Sequence, residues 1–292
     1  MYKYFLLICL SLIWGSQFMF IAMLTHDANP FFISFVKALL GAIFLMILSL
    51  LIKEKNYKKQ WKLYILIALF EVVIPFVLIA FGQKFVDSGV TSVIMALVPV
   101  FTLLILFLST SKKMNFYEVV SVILGFIGVI VISMSSKEFN MYTVSGLLCL
   151  LLAAVSFSIS LVLMQKLISA TPILHMRNIL GIASICLLIV LFFIPNGFGF
   201  QFNVKQWVAL LILGVMHSAV AFVIYNILVN KYDPLLASFT NYLVPIVGLL
   251  LGLLFLKETI SLVVLIGIVM IFISLIISQK KNITIIKTKF IV

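Results

Sequence analysis

Ten times along this chain, about twenty residues pass with almost no charge, and each stretch is long enough to cross a hydrocarbon layer as a helix. Interruptions by charge, Pro, Gly and Asn place the stretches near 4–24, 31–52, 62–83, 88–109, 116–134, 144–166, 172–194, 206–229, 234–256 and 260–278. In lipid, only helices or closed barrels satisfy every backbone polar group. Barrel strands alternate apolar and polar residues, whereas these stretches are continuously apolar, so they are helices. A composition of 65% hydrophobic and 10% charged residues excludes a water-soluble globule. The fold class is therefore an all-α membrane protein with ten transmembrane helices.

The formal charge of +12 does not point to nucleic acid, because the lysines cluster in the short segments between spans. With the N-terminus taken as cytoplasmic, fourteen lysines fall on the inner side, among them Lys53, Lys55, Lys58, Lys59, Lys112 and Lys113. The outer loops hold four: Lys84, Lys137, Lys205 and Lys257. The bias predicts both termini in the cytoplasm. Cys9, Cys149 and Cys186 all lie inside apolar spans, with no CxxC or Cys/His cluster, so neither a disulfide nor a metal is expected. The first apolar stretch continues to Leu24, which predicts a retained helix rather than a cleaved leader.

The two halves resemble each other. "KALLG" (37–41) matches "RNILG" (177–181), "ALVPVFTLLILFL" (96–108) matches "YLVPIVGLLLGLLFL" (242–256), and "LGFIG" (124–128) echoes "IGIVM" (266–270). Each half holds five spans, and an odd number inserts the copies in opposite directions. The predicted units are 1–139 and 140–279, followed by a basic cytoplasmic tail at 280–292. Inverted repeats are a common plan of secondary transporters, with the substrate held between the copies near the midplane.

"LFEVVIPF" (69–76) sets a carboxylate, Glu71, deep in the third span. With the halves aligned on Pro99 and Pro245, His217 falls opposite Glu71, and Phe222 opposite Phe76. A charge at that depth costs about 2.5–3.5 kcal/mol on insertion scales, so each residue must be neutral, paired or facing water. Both are candidates for binding substrate and for carrying a proton; the alternative is a protonated Glu71 bonded to a neighbouring helix and a packing role for His217. Trp14 and Gln17 share a face of span one, Tyr225 lies in span eight, and Ser238, Asn241 and Pro245 share a face of span nine. Trp14, Gln17, Tyr225 and Asn241 join Glu71 and His217 as candidate cavity residues; interhelical hydrogen bonding is the other use for such groups. Lys37 and Arg177 form a second matched pair, either snorkelling to headgroups or gating the cavity mouth. Pro99 and Pro245 are expected as matched kinks. His175 is expected at the inner interface. No GxxxxGK[ST], HExxH or GxSxG is present, so no nucleotide hydrolysis or other enzymatic step is expected, and a gradient or exchange would drive transport of a small molecule.

In order and spacing, "LIWGSQF" (12–18), "IPFVLIAFGQKFVDSGVTSVIMALVPVFT" (74–102) and "ASFTNYLVPIVGLLLGLLFLKET" (237–259) resemble the drug/metabolite transporter superfamily, specifically its ten-helix EamA-type members. The resemblance covers nearly the whole chain. It implies two inverted five-helix repeats, a cavity lined by helices 1–4 and 6–9, alternating access, and no cofactor. It also implies a multi-pass protein of a bacterial cell membrane that exports amino acids or other small metabolites. Import or exchange is the alternative within transport, and a non-transporting receptor or assembly protein the alternative outside it. Trp14, Gly15 and Ser16 match the family's first-helix motif, Pro99 and Pro245 its prolines, and Glu258 its acidic residue after helix 9. Lys37 stands where the family usually carries Arg, and His217 where a small or hydroxyl residue is usual.

Overall fold

The computed structural model describes residues 2–51, 60–109, 114–134, 141–167, 172–232 and 234–289. Most of the basic segments that carry the charge bias, at 52–59, 110–113 and 135–140, lie outside the described residues. Within the described residues ten apolar helices follow one another: α1 (Tyr2–Ala22), α2 (Pro30–Ser49), α3 (Trp61–Gly82), α4 (Ser88–Ser109), α5 (Phe116–Ser133), α6 (Met141–Met164), α7 (Pro172–Phe193), α8 (Val204–Ile227), α9 (Leu236–Phe255) and α10 (Leu262–Lys289). The first nine are long and apolar enough to span a bilayer, and α10 has a shorter apolar stretch, Leu262–Ser278. Its helical backbone runs on through most of the stretch read as a tail. The chain is an all-α, multi-span membrane protein. Large apolar side chains such as Leu50, Leu51, Phe192, Phe193, Leu254 and Phe255 are exposed, as lipid-facing positions should be.

Helix starts follow local chemistry. Asn29 caps α2, its Oδ1 accepting the Phe31 N–H at 3.0 Å, and Pro30 opens the helix where its missing N–H costs nothing. Asn115 with Glu118, and Asn203 with Gln206, close capping boxes at the starts of α5 and α8.

Two helices change pitch at corresponding places. In α3 the turns widen to π-helix over Ala68–Val73, and in α8 over Leu213–Val220. The Ile74 N–H reaches back five residues to the Leu69 carbonyl, and the Ala221 N–H to the Met216 carbonyl. The 146-residue offset that pairs Pro99 with Pro245 lays one widened stretch inside the other, with Glu71 and His217 at the matching position. Such turns are rare and concentrate at functional sites.

The prolines behave differently from each other. In α4 the helix breaks at Ala96–Leu97, where amides bond back only three residues, so Pro99 sits in the first turn of a restarted helix. In α9 the break comes at Phe239, and the helix then runs straight through Pro245.

Helix pairs in contact recur when every number is shifted by five. α5 packs on α10, α2 on α7, and α4 on α9; α1 meets α9 as α6 meets α4, and α3 meets α6 as α8 meets α1. The α5–α10 seam is tightest at Gly128 and Gly267, where an added Cβ would press on the facing backbone carbonyl. α1 and α9 meet closely where Gly15 lies against Val247. Tyr2 at the start of α1 meets Tyr232 just past α8, which marks one end of the molecule, the N-terminal face. Phe85 beyond the end of α3 stacks on Tyr142 at the start of α6, which marks the opposite face. α1 and α6 thus begin on opposite faces.

Candidate functional site

The widened turns face a central cavity of about 220 Å³. Its wall takes residues from α1, α2, α3, α4, α6, α7, α8 and α9. Trp14, Gln17, Glu71, His217, Asn241, Lys37 and Pro245 all line it, beside apolar walls such as Phe76, Phe157 and Phe222. A second chamber of about 330 Å³ shares Trp14, Glu71 and Asn241 with the first. It continues past Pro99, Tyr225 and Ser238 to Met164 and Ser278, at the helix ends of the N-terminal face. The six candidate cavity residues therefore lie along one passage. Trp14 and Tyr225 face each other across α1 and α8, with centroids 5.3 Å apart.

Glu71 and His217 are matched in depth but not in bonding. The His217 Nδ1 faces the Ile212 carbonyl at 3.1 Å, so the ring hydrogen sits on that nitrogen. That contact spans five residues, the reach of the widened turn. The Nε2 lies 3.1 Å from the Ser16 hydroxyl, tying α8 to α1, and Phe20 meets the ring edge-on. Glu71 is the reverse case. Ser160 of α6 is its neighbour, yet Glu71 Oε2 and Ser160 Oγ are both buried without a hydrogen bond of normal geometry. A buried polar atom with no partner is costly and calls for an explanation.

Lys37 does not reach for headgroups. It is 3% exposed, its Nζ donates to Gln17 Oε1 at 3.2 Å and stands 3.8 Å from the centre of the Phe76 ring. Its sequence counterpart Arg177 lines neither chamber. Instead it bonds Ser49 at the end of α2 at 3.0 Å and Asn178 beside it. The pair diverges because Lys37 sits mid-helix against the cavity while Arg177 sits one turn from a helix end. His175, expected at the interface, is buried and bonded to the Tyr64 hydroxyl at 2.8 Å.

The opposite face is fastened. Gln206 Nε2 donates to the Met23 carbonyl at 2.9 Å and to Asp27 Oδ2. Ala28 and Phe200 form a β-bridge, the Gln201 N–H reaches the Asp27 carbonyl at 3.0 Å, and Phe32 stacks on Phe200 at 4.8 Å under Trp207. The N-terminal face carries a lighter version. There Gln60 Nε2 reaches the Lys166 carbonyl at 3.3 Å in an exposed contact, beside Trp61. Both fastenings hang on a Gln-Trp dipeptide, 60–61 and 206–207, at the same 146-residue offset. Composition-based reading passed over these residues, although the repeated dipeptide was there to be matched. A further tie joins Glu258, past α9, to the start of α4, its carboxylate accepting the Ser88 N–H at 2.7 Å and the Gly89 N–H at 2.9 Å.

These features have relatives. The model of the EamA-like transporter family matches residues 1–134 and again 144–279. The uncharacterized transporter YoaV of Bacillus subtilis (strain 168) is 27% identical over 265 residues, 89% of this chain and 91% of its own length. Protein PecM of Dickeya dadantii (strain 3937) is 26% identical over 275 residues, 91% of this chain and 89% of its own. A solved crystal structure matches 95% of this chain and 96% of its own with a TM-score of 0.65 at 16% identity, a likeness of fold alone. With the family's model matched twice along a ten-helix membrane chain, this protein belongs to the EamA-like transporter family, within the drug/metabolite transporter superfamily.

Proposed function

We propose that this transporter exports a small metabolite such as an amino acid by alternating access, with Glu71 as its proton-responsive group. The observation that carries the reading is Glu71 Oε2, buried and unpartnered in the wall of both chambers. A protonated carboxyl donates a hydrogen bond there, and an ionised one accepts from a substrate amino group. The passage continues toward the N-terminal face while the opposite face is fastened. The lysine bias makes the N-terminal face cytoplasmic, so this arrangement is the one that would load substrate from inside.

In the cycle, substrate enters between two oppositely inserted five-helix copies, units 1–139 and 140–279, as helix contacts recurring at a five-helix shift support. The copies rock, the Gln206 fastening opens, and substrate leaves outside. His217 holds α8 to α1 and keeps its proton throughout, since both its ring nitrogens are engaged within the fold. The test is efflux of an amino-acid mixture from proteoliposomes under an imposed pH gradient. Wild-type protein is expected to accelerate loss of a subset of amino acids with a pH-dependent rate. Glu71→Gln is expected to lower the rate about 10- to 100-fold and to remove its pH dependence. A Glu71→Gln protein with the wild-type pH profile overturns the proton role, and no flux of any amino acid overturns the substrate class.

A further inference from the structure

Lys37 is a cavity residue whose ammonium already has partners without a substrate. Its ammonium has an aromatic face at 3.8 Å and an amide oxygen at 3.2 Å, from Phe76 and Gln17, on two different helices. An aromatic face with an oxygen acceptor beside it is how proteins bind primary and quaternary ammonium groups. The side chain is 3% exposed, so the site is shielded as a ligand site would be. Lys37 also fails to satisfy the second oxygen of Glu71, which lines the same cavity. The ammonium thus has a site of its own, and the carboxylate is left over.

We propose that Phe76 and Gln17 form an ammonium-binding site filled by the chain's own Lys37, and that Lys37 is a specificity-determining residue that turns organic monocations away. A free cation entering the cavity meets an occupied site and a like charge beside it. Glu71, with an unpartnered oxygen, lines the same cavity, and the Lys37 ammonium there leaves the cavity to molecules that bring a negative group as well, or no net charge. The inference rests on the export reading only in taking this cavity as the transport site.

Truncating Lys37 to Ala removes three methylenes and the ammonium, which is n-propylammonium in outline. Purified full-length Lys37→Ala should bind n-propylammonium about tenfold or more tightly than the wild type, the order of one desolvated cation–aromatic contact. Quenching of Trp14 fluorescence, read with Trp61 and Trp207 replaced by Phe, and a rise in melting temperature would report binding. Phe76→Leu added to Lys37→Ala should erase the gain. n-Propanol, equal in shape and uncharged, should not reproduce it. Lys37→Met keeps the volume and removes the charge. In proteoliposomes it should admit tetramethylammonium about tenfold faster than the wild type, and this flux decides the matter if Lys37→Ala does not fold. Equal binding of propanol and propylammonium, or no gain of cation flux in Lys37→Met, overturns the proposal. Loss of amino-acid efflux with amine binding intact strikes the export reading and leaves this one standing.

Discussion

α3 and α8 are the same helix built twice, and they are used differently. Both carry Gln-Trp near their start, both widen to π-turns about one-third of the way along, and both set an ionisable side chain at the widening. In α8 that side chain is tied on both nitrogens, and the Gln at its start is locked into a buried network. In α3 the carboxylate has an oxygen to spare, and the Gln makes a longer, exposed contact. The difference teaches that duplication supplies the geometry while bonding decides the role. The widened turn places a group in the cavity, and the groups around it decide whether that group is structure or machinery.

The strongest way to break the comparison is to neutralise the free side. Glu71→Gln should lower efflux by about 10- to 100-fold, the worth of one hydrogen bond to a charged group. Proteoliposome flux measures it, and retention of more than half the rate would make the two helices equivalent. Next is the fastening opposite the N-terminal face. Gln206→Ala removes two bonds to the turn between α1 and α2 at about 1 kcal/mol each, which should shift the population toward opening of that face about 5- to 30-fold. Labelling by an impermeant thiol reagent of a cysteine placed at Phe202 would report it. His217→Ala should cost stability first. It removes the α8–α1 contact to the Ser16 hydroxyl and the side-chain bond to the Ile212 carbonyl, so melting temperature should fall by about 2–4 °C per kcal/mol lost, with the pH profile of transport unchanged. A changed profile would give His217 the proton role denied to it here. Gln60→Ala, at the exposed contact on the N-terminal face, should change labelling by about twofold or less.

The smallest effect lies just beyond α3. Burial, and then the nearby Glu258 carboxylate, hold the Asp87 carboxyl above its usual 3.8. A raised acid means the folded state binds its proton more tightly, so the fold loses stability as pH climbs through that range. Asp87→Asn should therefore stabilise slightly at neutral pH, by well under about 1 kcal/mol given partial exposure, and the gain should vanish below about pH 4. Thermal melts at both pH values check it.

Much of this was legible in the chain. The ten helices follow from apolar runs alone, and their ends agree with the described helices within three residues, except that α10 runs on from the expected 278 to Lys289. The matched depth of Glu71 and His217 follows from the offset between Pro99 and Pro245. Three things were not legible. The π-turns depend on how amides choose between carbonyls four and five residues back, a choice made by neighbours in space. The inward aim of Lys37 depends on Phe76 and Gln17, which lie on other helices. Pro245 matches Pro99 in the repeat, yet it lies inside a continuing helix, whereas Pro99 opens a helix restarted after a break at Ala96–Leu97.

The seam of α5 and α10 lies outside the wall of the first chamber, and it is the pair of helices that would join the two copies in the proposed cycle. Gly128 and Gly267 bring the two backbones close, and each lies against an isoleucine of the facing helix, Ile271 and Ile132. In the proposed cycle such a joint would serve as a spindle for the rocking copies, and a single bulky graft there would jam the motion without touching a cargo-binding atom.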